Sequence, residues 1–364
     1  MNAPTLRVRS IVARGVDVPM KHVLGTSQAA LTKAPLVLID LETEEGVTGR
    51  AYVFAYLTAA APGIASVLGE VLAAVKGERV APLDLWAKLT KRFTLVGAQG
   101  LVRMAMSGFD AACWDALAVA AGHPLASVLG AAPRPIRAYN SNGLGLVSTE
   151  ALERETGELL EGGFRGVKLR LGHPTLEADV AALRAVRGRL PDGVALMVDY
   201  NQALSVAEAV RRGRVLEQEG VYWIEEPVRH DDLRGCAELA RALAAPVQIG
   251  ENFAGPEAMA EALHLRACDF VMPDLGRIGG VTGWMRAAAL ASAVGVEMSS
   301  HLYPELSAHL LAATPTAHWL EYVDWADAIL EEPLRVVEGS AVVSDRAGAG
   351  LSWNEDAVSR YRFC

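Results

Sequence analysis

The sequence predicts an α/β protein in which an N-terminal α+β block precedes a parallel barrel of alternating strands and helices. Up to about residue 130, strand-like segments come first and helix-like segments follow them. From Pro135 onward, short apolar runs alternate with helical segments. A doubly wound open sheet would give the same alternation. No GxGxxG motif follows the first strand of this part, however, which disfavours a dinucleotide-binding fold.

The N-terminal block, residues 1–130, is expected to form one α+β domain. Residues 6–18 alternate apolar and polar side chains as a half-buried strand does. Residues 36–41 and 47–54 flank a polar turn and predict a hairpin. Three helical patterns follow, and the last is apolar on more than one face, so it should be buried; they cover residues 64–75, 82–93 and 101–121.

The second part, residues 131–330, contains eight strand-like runs interleaved with helical segments, which predicts a (β/α)₈ barrel or a near variant. The remaining residues, 331–364, are too few for a domain and are expected to fold back onto the N-terminal block. The runs are residues 137–141, 166–171, 195–201, 222–226, 247–251, 270–273, 296–299 and 319–321.

Composition and charge exclude several classes of protein. The chain has 364 residues and a net charge of −9, with no basic stripe that would bind nucleic acid. We find no apolar segment typical of a signal peptide and no run long enough to span a bilayer, so a cytoplasmic protein is expected. The four cysteines form no CxxC pair and indicate neither a zinc knuckle nor a disulfide framework: Cys113, Cys236, Cys268 and Cys364.

Polar or ionisable residues end each strand-like run, and in a barrel that end is the catalytic mouth. Two pairs have a spacing of two, Lys168 with Arg170 and Asp199 with Asn201, which puts both side chains of a pair on the interior face. Later runs end in a similar way, with Glu225 and Glu226, Glu251 and Asn252, Asp274, His301 and Glu321.

Three carboxylates, Asp199, Glu225 and Glu251, fall on three consecutive strands. Neighbouring strands in the sequence become neighbours in a parallel barrel, so these side chains should meet. Any one of them alone could be a solvated acid or a helix cap. Together they would repel one another without a cation, and hard oxygen ligands suit Mg²⁺.

The other residues at the mouth predict proton transfer beside a carboxylate. Asp274 and His301 end the next two strands, and a carboxylate beside an imidazole fixes its tautomer and raises its basicity. Lys168 could neutralise a substrate carboxylate or pair with Asp199. Glu321 could donate a hydrogen bond to an oxyanion if its pKa is raised. Removal of an α-proton needs such a base, a metal and donors that hold the enediolate charge.

At these residues the sequence resembles the enolase superfamily, and specifically its mandelate racemase branch. The resemblance covers nearly the whole chain and is densest in KAPLVLIDL, GFRGVKLRLGHP, MVDYNQ, WIEEP, VQIGENF, MPDLGRIGGVTGW and MSSHLYPELSAHLLAATPTAHWLE. It implies a modified (β/α)₇β TIM-like barrel with an N-terminal α+β capping domain, and a symmetric homo-oligomer, often an octamer.

The resemblance also implies roles for single residues. Asp199, Glu225 and Glu251 match the Mg²⁺ ligands, and Asn201 matches a residue that contacts the substrate carboxylate. Lys168 matches the lysine that neutralises this carboxylate. The remaining matches are the His301–Asp274 dyad, whose histidine is the base for the R-enantiomer, and Glu321, which hydrogen-bonds the enediolate.

Two parts of the site depart from the racemase pattern. Arg170 replaces the second lysine of a KxK motif, the base for the S-enantiomer, and arginine stays protonated in proteins. It could donate a proton weakly or clamp an oxygen. The cap loop, about residues 20–27, carries Lys21 and His22, which would suit hydroxyls or a second carboxylate if they turn inward, while Phe54 and Tyr56 keep an aromatic wall.

The leading hypothesis is therefore mandelate racemase-like racemisation of a 2-hydroxy acid with Mg²⁺. The alternative is an acid-sugar dehydratase that uses His301 as its one base and gives a 2-keto-3-deoxy acid. Arg170 and the polar cap loop favour the alternative. A catalytically silent metal-binding homologue is a third hypothesis, and the near-complete set of site residues argues against it.

Overall fold

The computed structural model describes residues 5–364. The N-terminal part contains an antiparallel sheet of three strands in the order β1-β2-β3, with bounds Val8–Gly25, Ala30–Thr43 and Thr48–Phe54. The predicted hairpin is confirmed, and Gly46 at its turn has a φ of +83°, a conformation that favours glycine. Strand β1 is longer than predicted because it continues past a register shift between Pro19 and Leu24.

Four helices follow this sheet: α1 (Ala61–Val75), α2 (Pro82–Arg92), α3 (Gly100–Ala121) and α4 (Leu125–Val128). Helix α3 is buried, as its sequence predicts, and lies directly on the sheet. A Cβ atom at Gly108 would lie 2.4 Å from Ile39 Cδ1, so only glycine allows this approach.

The expectation that no apolar run is long enough to span a bilayer needs a correction. The segment Thr58–Val75 is long and apolar enough, by length and composition alone, to cross a membrane. In the fold it includes α1, whose buried positions Ile64, Leu68 and Val71 face the rest of the cap. Packing of one face of this helix against α3 and β1 accounts for these buried apolar side chains.

The second part is a barrel of eight parallel strands, which confirms the modified (β/α)₇β architecture. Neighbouring strands pair in chain order from β4 to β10, and β11 pairs with β4. Hydrogen bonds from Met298 N to Thr316 O and from Ser300 N to Trp319 O link β10 to the last strand and close the barrel. The strands are β4 (Ile136–Asn140), β5 (Gly166–Arg170), β6 (Ala195–Asp199), β7 (Ile224–Glu225), β8 (Val247–Ile249), β9 (Phe270–Val271), β10 (Glu297–Met298) and β11 (Leu320–Tyr322).

Each of the first seven barrel strands is followed by helix, and the eighth is not, which distinguishes this fold from a symmetric (β/α)₈ barrel. Several helices begin with a side-chain cap, such as Ser148 before α5 and Thr175 before α6. The helices are α5 (Thr149–Leu159), α6 (Leu176–Arg187), α7 (Val206–Gln218), α8 (Leu233–Ala242), α9 (Pro256–Leu265), α10 (Leu275–Ile278), α11 (Gly280–Val294) and α12 (Pro304–Ala312).

An aromatic layer fills the barrel interior beneath the polar strand ends. Tyr139, Met197, Trp223 and Trp319 form a buried cluster, with the rings of Tyr139 and Trp223 packed edge to face at 5.3 Å. Met197, Trp223 and Trp319 each stand two residues before a polar residue of the mouth. Because the side-chain period of a strand is two, the acidic layer rests directly on this apolar layer.

The C-terminal tail contacts both parts of the molecule. Its two short strands, β12 (Val336–Val337) and β13 (Ser340–Ala341), pair with each other, and β13 also pairs antiparallel with β4 of the barrel. The last helix, α13 (Glu355–Tyr361), contacts β1, and Phe363 N donates to Gly15 O. The tail also contacts the N-terminal part before α13, where Gly348 N donates to His123 O and Trp353 Nε1 donates to Asp40 Oδ1 of β2.

Candidate active site

The three carboxylates Asp199, Glu225 and Glu251 meet at the mouth of the barrel. One ligand oxygen from each lies within 4.8 Å of the others. Parallel pairing of β6 with β7 puts Asp199 opposite Glu225. Glu251 follows Gly250, whose φ is +142° and where a Cβ atom would lie 2.8 Å from Met272 N. Glycine is thus needed to aim Glu251 into the site.

The electrostatics of this triad favour a bound cation. Burial raises the pKa of Glu225 to about 8, and burial also raises the pKa of Asp199. Burial alone would raise the pKa of Glu251, but the nearby His301 charge outweighs it and lowers the pKa. A divalent cation would remove the cost of ionising Glu225 and Asp199. Three hard oxygen donors fit Mg²⁺, so the triad can hold this ion.

Lys168 binds to three carboxylates at the base of the site. Its Nζ lies 2.5 Å from Glu225 Oε1, 2.8 Å from Glu321 Oε1 and 3.4 Å from Asp199 Oδ2. Burial disfavours the charged form of Lys168. The negative charges of Glu225 and Glu321 have the larger effect, and they raise the pKa of the ammonium. Both predicted roles, neutralising a carboxylate and pairing with Asp199, are compatible with this position.

Glu321 is ionised in this arrangement. Burial favours its protonated form, yet the charges of Lys168 and His301 outweigh burial and lower the pKa to about 2. Its Oε2 also accepts a hydrogen bond of 2.8 Å from Leu302 N. Donation of a hydrogen bond to an enediolate would require that Glu321 gain a proton, which the charges of Lys168 and His301 oppose.

His301 and Asp274 form a hydrogen-bonded pair. His301 Nδ1 donates to Asp274 Oδ2 at 2.7 Å, and the other ring nitrogen, Nε2, lies 3.2 Å from Glu251 Oε2. Asp274 is held in turn because it caps α10, with Oδ1 accepting from Arg277 N at 3.1 Å. Burial opposes protonation of His301, but Glu251 and Glu321 outweigh it and raise the pKa of the imidazole. The pair leaves Nε2 as the atom available for proton transfer.

Arg170 approaches the site from a different side. It ends β5, which is three strands away from β10 around the closed barrel. Its Nη1 donates to Gly143 O at 2.8 Å and its Nη2 to Ser141 Oγ at 3.1 Å. The guanidinium is buried and held by these two bonds. Among the described residues that line the cavity, His301 and Lys168 are the only histidine and lysine, so no second lysine lies beside Arg170.

A cavity of about 230 Å³ lies above these residues, between the barrel mouth and the capping sheet. Phe54 and Tyr56 line it as predicted, and Asn201 does so with its Nδ2 bonded to Asp199 Oδ2 at 3.1 Å. The rings of Tyr56, Phe54 and Trp325 form a continuous row, with centroid distances of 4.4 Å and 5.0 Å. Other apolar lining residues are Leu24, Ala29, Leu31 and Leu302.

Lys21 and His22 do not line this cavity, which corrects the expectation that they turn inward. His22 Nε2 lies 3.6 Å from Glu158 Oε2, and Lys21 is exposed. The reason is that β1 continues as a strand to Gly25, so the chain bends over the cavity only beyond these residues. The turn that follows is tied to the barrel, where Ser27 Oγ donates to Tyr200 O at 3.0 Å.

The sequence did not predict Arg277 or Gln28 as site residues, and it named Asn252 only as a polar strand end. Arg277 donates through Nη1 to Glu251 O at 3.1 Å and to Asn252 Oδ1. Gln28 lines the cavity and donates to Asn201 O at 3.1 Å. Arg277 lies three residues after Asp274, so proximity to a strand end could have identified it.

Two family models match this chain. The family model described as "Mandelate racemase / muconate lactonizing enzyme, N-terminal domain" matches residues 9–130, and that of the "Enolase C-terminal domain-like" family matches residues 151–357. The L-talarate/galactarate dehydratase of Salmonella typhimurium is 33% identical over 338 residues, which are 92% of this chain and 84% of that protein.

Two solved structures are similar over the whole chain. An enolase from the alphaproteobacterium BAL199 with bound Mg is 45% identical with a TM-score of 0.96, and the match covers 99% of this chain and 100% of that one. An enolase from Bradyrhizobium, complexed with magnesium and mandelic acid, is 42% identical with a TM-score of 0.95, and the match covers 99% of both chains.

Proposed function

The chain belongs to the mandelate racemase / muconate lactonizing enzyme family of the enolase superfamily, and we propose that it removes the α-proton of a 2-hydroxy carboxylate with His301 as its one base. The observation that carries this proposal is the His301–Asp274 pair on one side of the cavity, with the hydrogen-bonded Arg170 and no base on the other. Solved structures of relatives contain Mg²⁺, among them those of the BAL199 and Bradyrhizobium proteins.

Each of these residues has its own role in the proposed reaction. Asp199, Glu225 and Glu251 would hold Mg²⁺, which when bound stabilises negative charge on the substrate carboxylate. Lys168 neutralises part of the same charge, and the capping sheet covers the cavity and excludes water. His301 Nε2 takes the α-proton, while Asp274 holds the ring and stabilises the imidazolium that forms.

A base on one side alone favours β-elimination over racemisation. Racemisation needs a proton donor and acceptor on both faces of the planar enediolate. Elimination of a β-hydroxyl needs only His301, which can return its proton to the leaving group. We therefore propose a dehydratase that gives a 2-keto-3-deoxy acid, and the similarity to the Salmonella dehydratase supports this assignment.

Racemisation of a mandelate-like acid is the second candidate, because the row of Tyr56, Phe54 and Trp325 gives the cavity an apolar wall. The Bradyrhizobium structure with mandelic acid points the same way.

Proton NMR in D₂O with Mg²⁺ tests the proposal on both enantiomers of mandelate and a panel of sugar acids. Exchange of one enantiomer only, or formation of a 2-keto-3-deoxy product, supports a one-base enzyme. Exchange of both enantiomers with interconversion refutes it in favour of racemisation. His301→Asn should abolish exchange while calorimetry still detects Mg²⁺ binding, which separates loss of the base from loss of the metal.

We also propose that the protein works in the cytoplasm as a homo-oligomer. Support for an oligomer comes from apolar side chains on the cap surface, including the fully exposed Leu95 and the largely exposed Val96 and Leu57. Light scattering after size-exclusion chromatography measures the oligomeric state, and a monomer would contradict this proposal.

A further inference from the structure

The cavity has one polar end and one apolar end. Asp199, Glu251, Lys168 and His301 line the polar end, where a 2-hydroxy carboxylate would bind. Leu24, Leu31, Phe54 and Trp325 line much of the other end. Among the described residues, the capping domain adds only the uncharged polar side chains of Thr26, Gln28 and Tyr56 to the lining. A volume of about 230 Å³ is below the roughly 300–1,000 Å³ of pockets for drug-sized ligands, so the substrate is small.

Most polar side chains around the cavity are already bound to other protein groups. Gln202 donates to Glu226 Oε2 at 3.0 Å and accepts from His230 N at 3.1 Å. Asn252 donates to Glu226 Oε1 at 2.8 Å and accepts from Arg277. Few groups therefore remain to bind the hydroxyls of a long sugar acid, each of which would lose its water on binding.

Two polar groups of the lining are exceptions, because the Tyr56 hydroxyl and Asn201 Oδ1 are buried and have no hydrogen-bond partner among residues 5–364. Asn201 lies beside Asp199 at the polar end, whereas Tyr56 forms a separate corner. The Arg277 guanidinium lies 4.5 Å from the centre of the Tyr56 ring. Arg277 contacts Glu251, and Glu251 contacts His301, so this corner is on the side of the base. A single substrate hydroxyl bound here would satisfy Tyr56 and lie near His301.

We infer that the substrate is a 2,3-dihydroxy acid with an apolar, aryl-sized group on C3, and that Tyr56 binds the 3-hydroxyl that leaves. This inference rests on the proposed one-base reaction. The C2–H bond breaks and its proton passes to His301 Nε2. The electron pair forms the C2=C3 bond, the C3–O bond breaks, and the proton returned by His301 makes the leaving hydroxyl water. The resulting enol becomes a 2-oxo-3-aryl acid, so the reaction is a redox-neutral dehydration.

The first test compares 2,3-dihydroxy-3-phenylpropanoate with gluconate on the Mg²⁺-loaded enzyme. We expect at least about a tenfold higher kcat/KM for the phenyl compound. In thermal unfolding, 2-hydroxy-3-phenylpropanoate should protect the protein more than glycerate does. Equal or better dehydration of gluconate overturns the inference.

Failure of the inference and failure of the proposed function can be told apart. 2-Hydroxy-3-phenylpropanoate has no β-hydroxyl, so deuterium exchange at its C2 reports proton removal alone. If the C2 proton of this acid exchanges but gluconate is dehydrated faster than the phenyl compound, only the proposed substrate class is overturned. No exchange on any acid of the panel overturns both.

Variants test the role of Tyr56. In Tyr56→Phe the ratio of dehydration to C2 exchange should fall about tenfold, as expected from one lost hydrogen bond in the transition state. Tyr52→Phe is the matched control, since Tyr52 lies on β3, four residues before Tyr56, and its hydroxyl binds Glu305 away from the cavity. Leu31→Gln should shift preference toward gluconate. An unchanged ratio in Tyr56→Phe contradicts the assigned role.

Discussion

Replacing Arg170 by lysine would give the second side of the cavity a group that can lose and accept a proton. In the wild type, both bonds of the guanidinium, to Gly143 O and Ser141 Oγ, are made in a buried place. A lysine ammonium is a compact donor and can keep at most one of them. One lost bond from a charged donor costs about 1.5–3 kcal/mol, so the free energy of unfolding should fall by that amount.

The rate of proton exchange should rise in this variant, although its free energy of unfolding falls. The Arg170→Lys variant should exchange the α-proton of S-mandelate at least about tenfold faster than the wild type does. The reason is that a lysine can act as a base and an arginine cannot. Urea unfolding measures the stability and NMR in D₂O measures the exchange. Arg170→Met is the control, since it loses both bonds and gains no base. If Arg170→Lys exchanges the S-enantiomer no faster than Arg170→Met, the reasoning about the missing base is wrong.

Three further perturbations have defined outcomes. Asp274→Asn removes a charge-assisted hydrogen bond of 2.7 Å to His301. This variant should lower kcat/KM roughly 10–100-fold and leave the Mg²⁺ affinity unchanged. A loss of kcat/KM below about threefold would contradict the assigned dyad. Glu251→Gln should abolish Mg²⁺-dependent activity and weaken Mg²⁺ binding at least about tenfold in calorimetry, whereas the control Glu257→Gln on α9 should do neither. Burial raises the pKa of Asp110 to about 7, so the native state holds this proton more tightly than the unfolded chain and stability should fall as pH rises from about 4 to about 7. Asp110→Asn should flatten this slope of the unfolding free energy by up to about 1.4 kcal/mol per pH unit, and an unchanged slope in urea titrations would show that Asp110 does not cause it.

Strand periodicity accounts for most of what could be predicted at the site. A spacing of two puts Lys168 and Arg170 on one face of β5, and pairing between consecutive strands brings Asp199 beside Glu225. These relations are local or follow from neighbouring strands in a parallel barrel, so the sequence is enough to predict them. The alternation of strands and helices predicts the barrel for the same reason.

Other features depend on segments that are distant in the sequence. The number of carboxylates around Lys168 follows from closure of the barrel, which brings Glu321 of the last strand within 2.8 Å of it. Pairing of the tail strand β13 with β4 joins Ser340 to Arg137 across the chain. No periodicity within either segment specifies such a partner, because many registers satisfy the same local pattern.

By itself, the sequence determined the cap-and-barrel class, the acidic triad and the His301–Asp274 pair, since these follow from side-chain periods and strand order. Only the tertiary structure decided that Lys21 and His22 lie outside the cavity, that Arg170 is held by Gly143 and Ser141, and that Tyr56 has a buried, unpartnered hydroxyl. The physical reason is that the direction of a side chain at a strand or loop end depends on what packs against it, and those contacts come from distant parts of the chain.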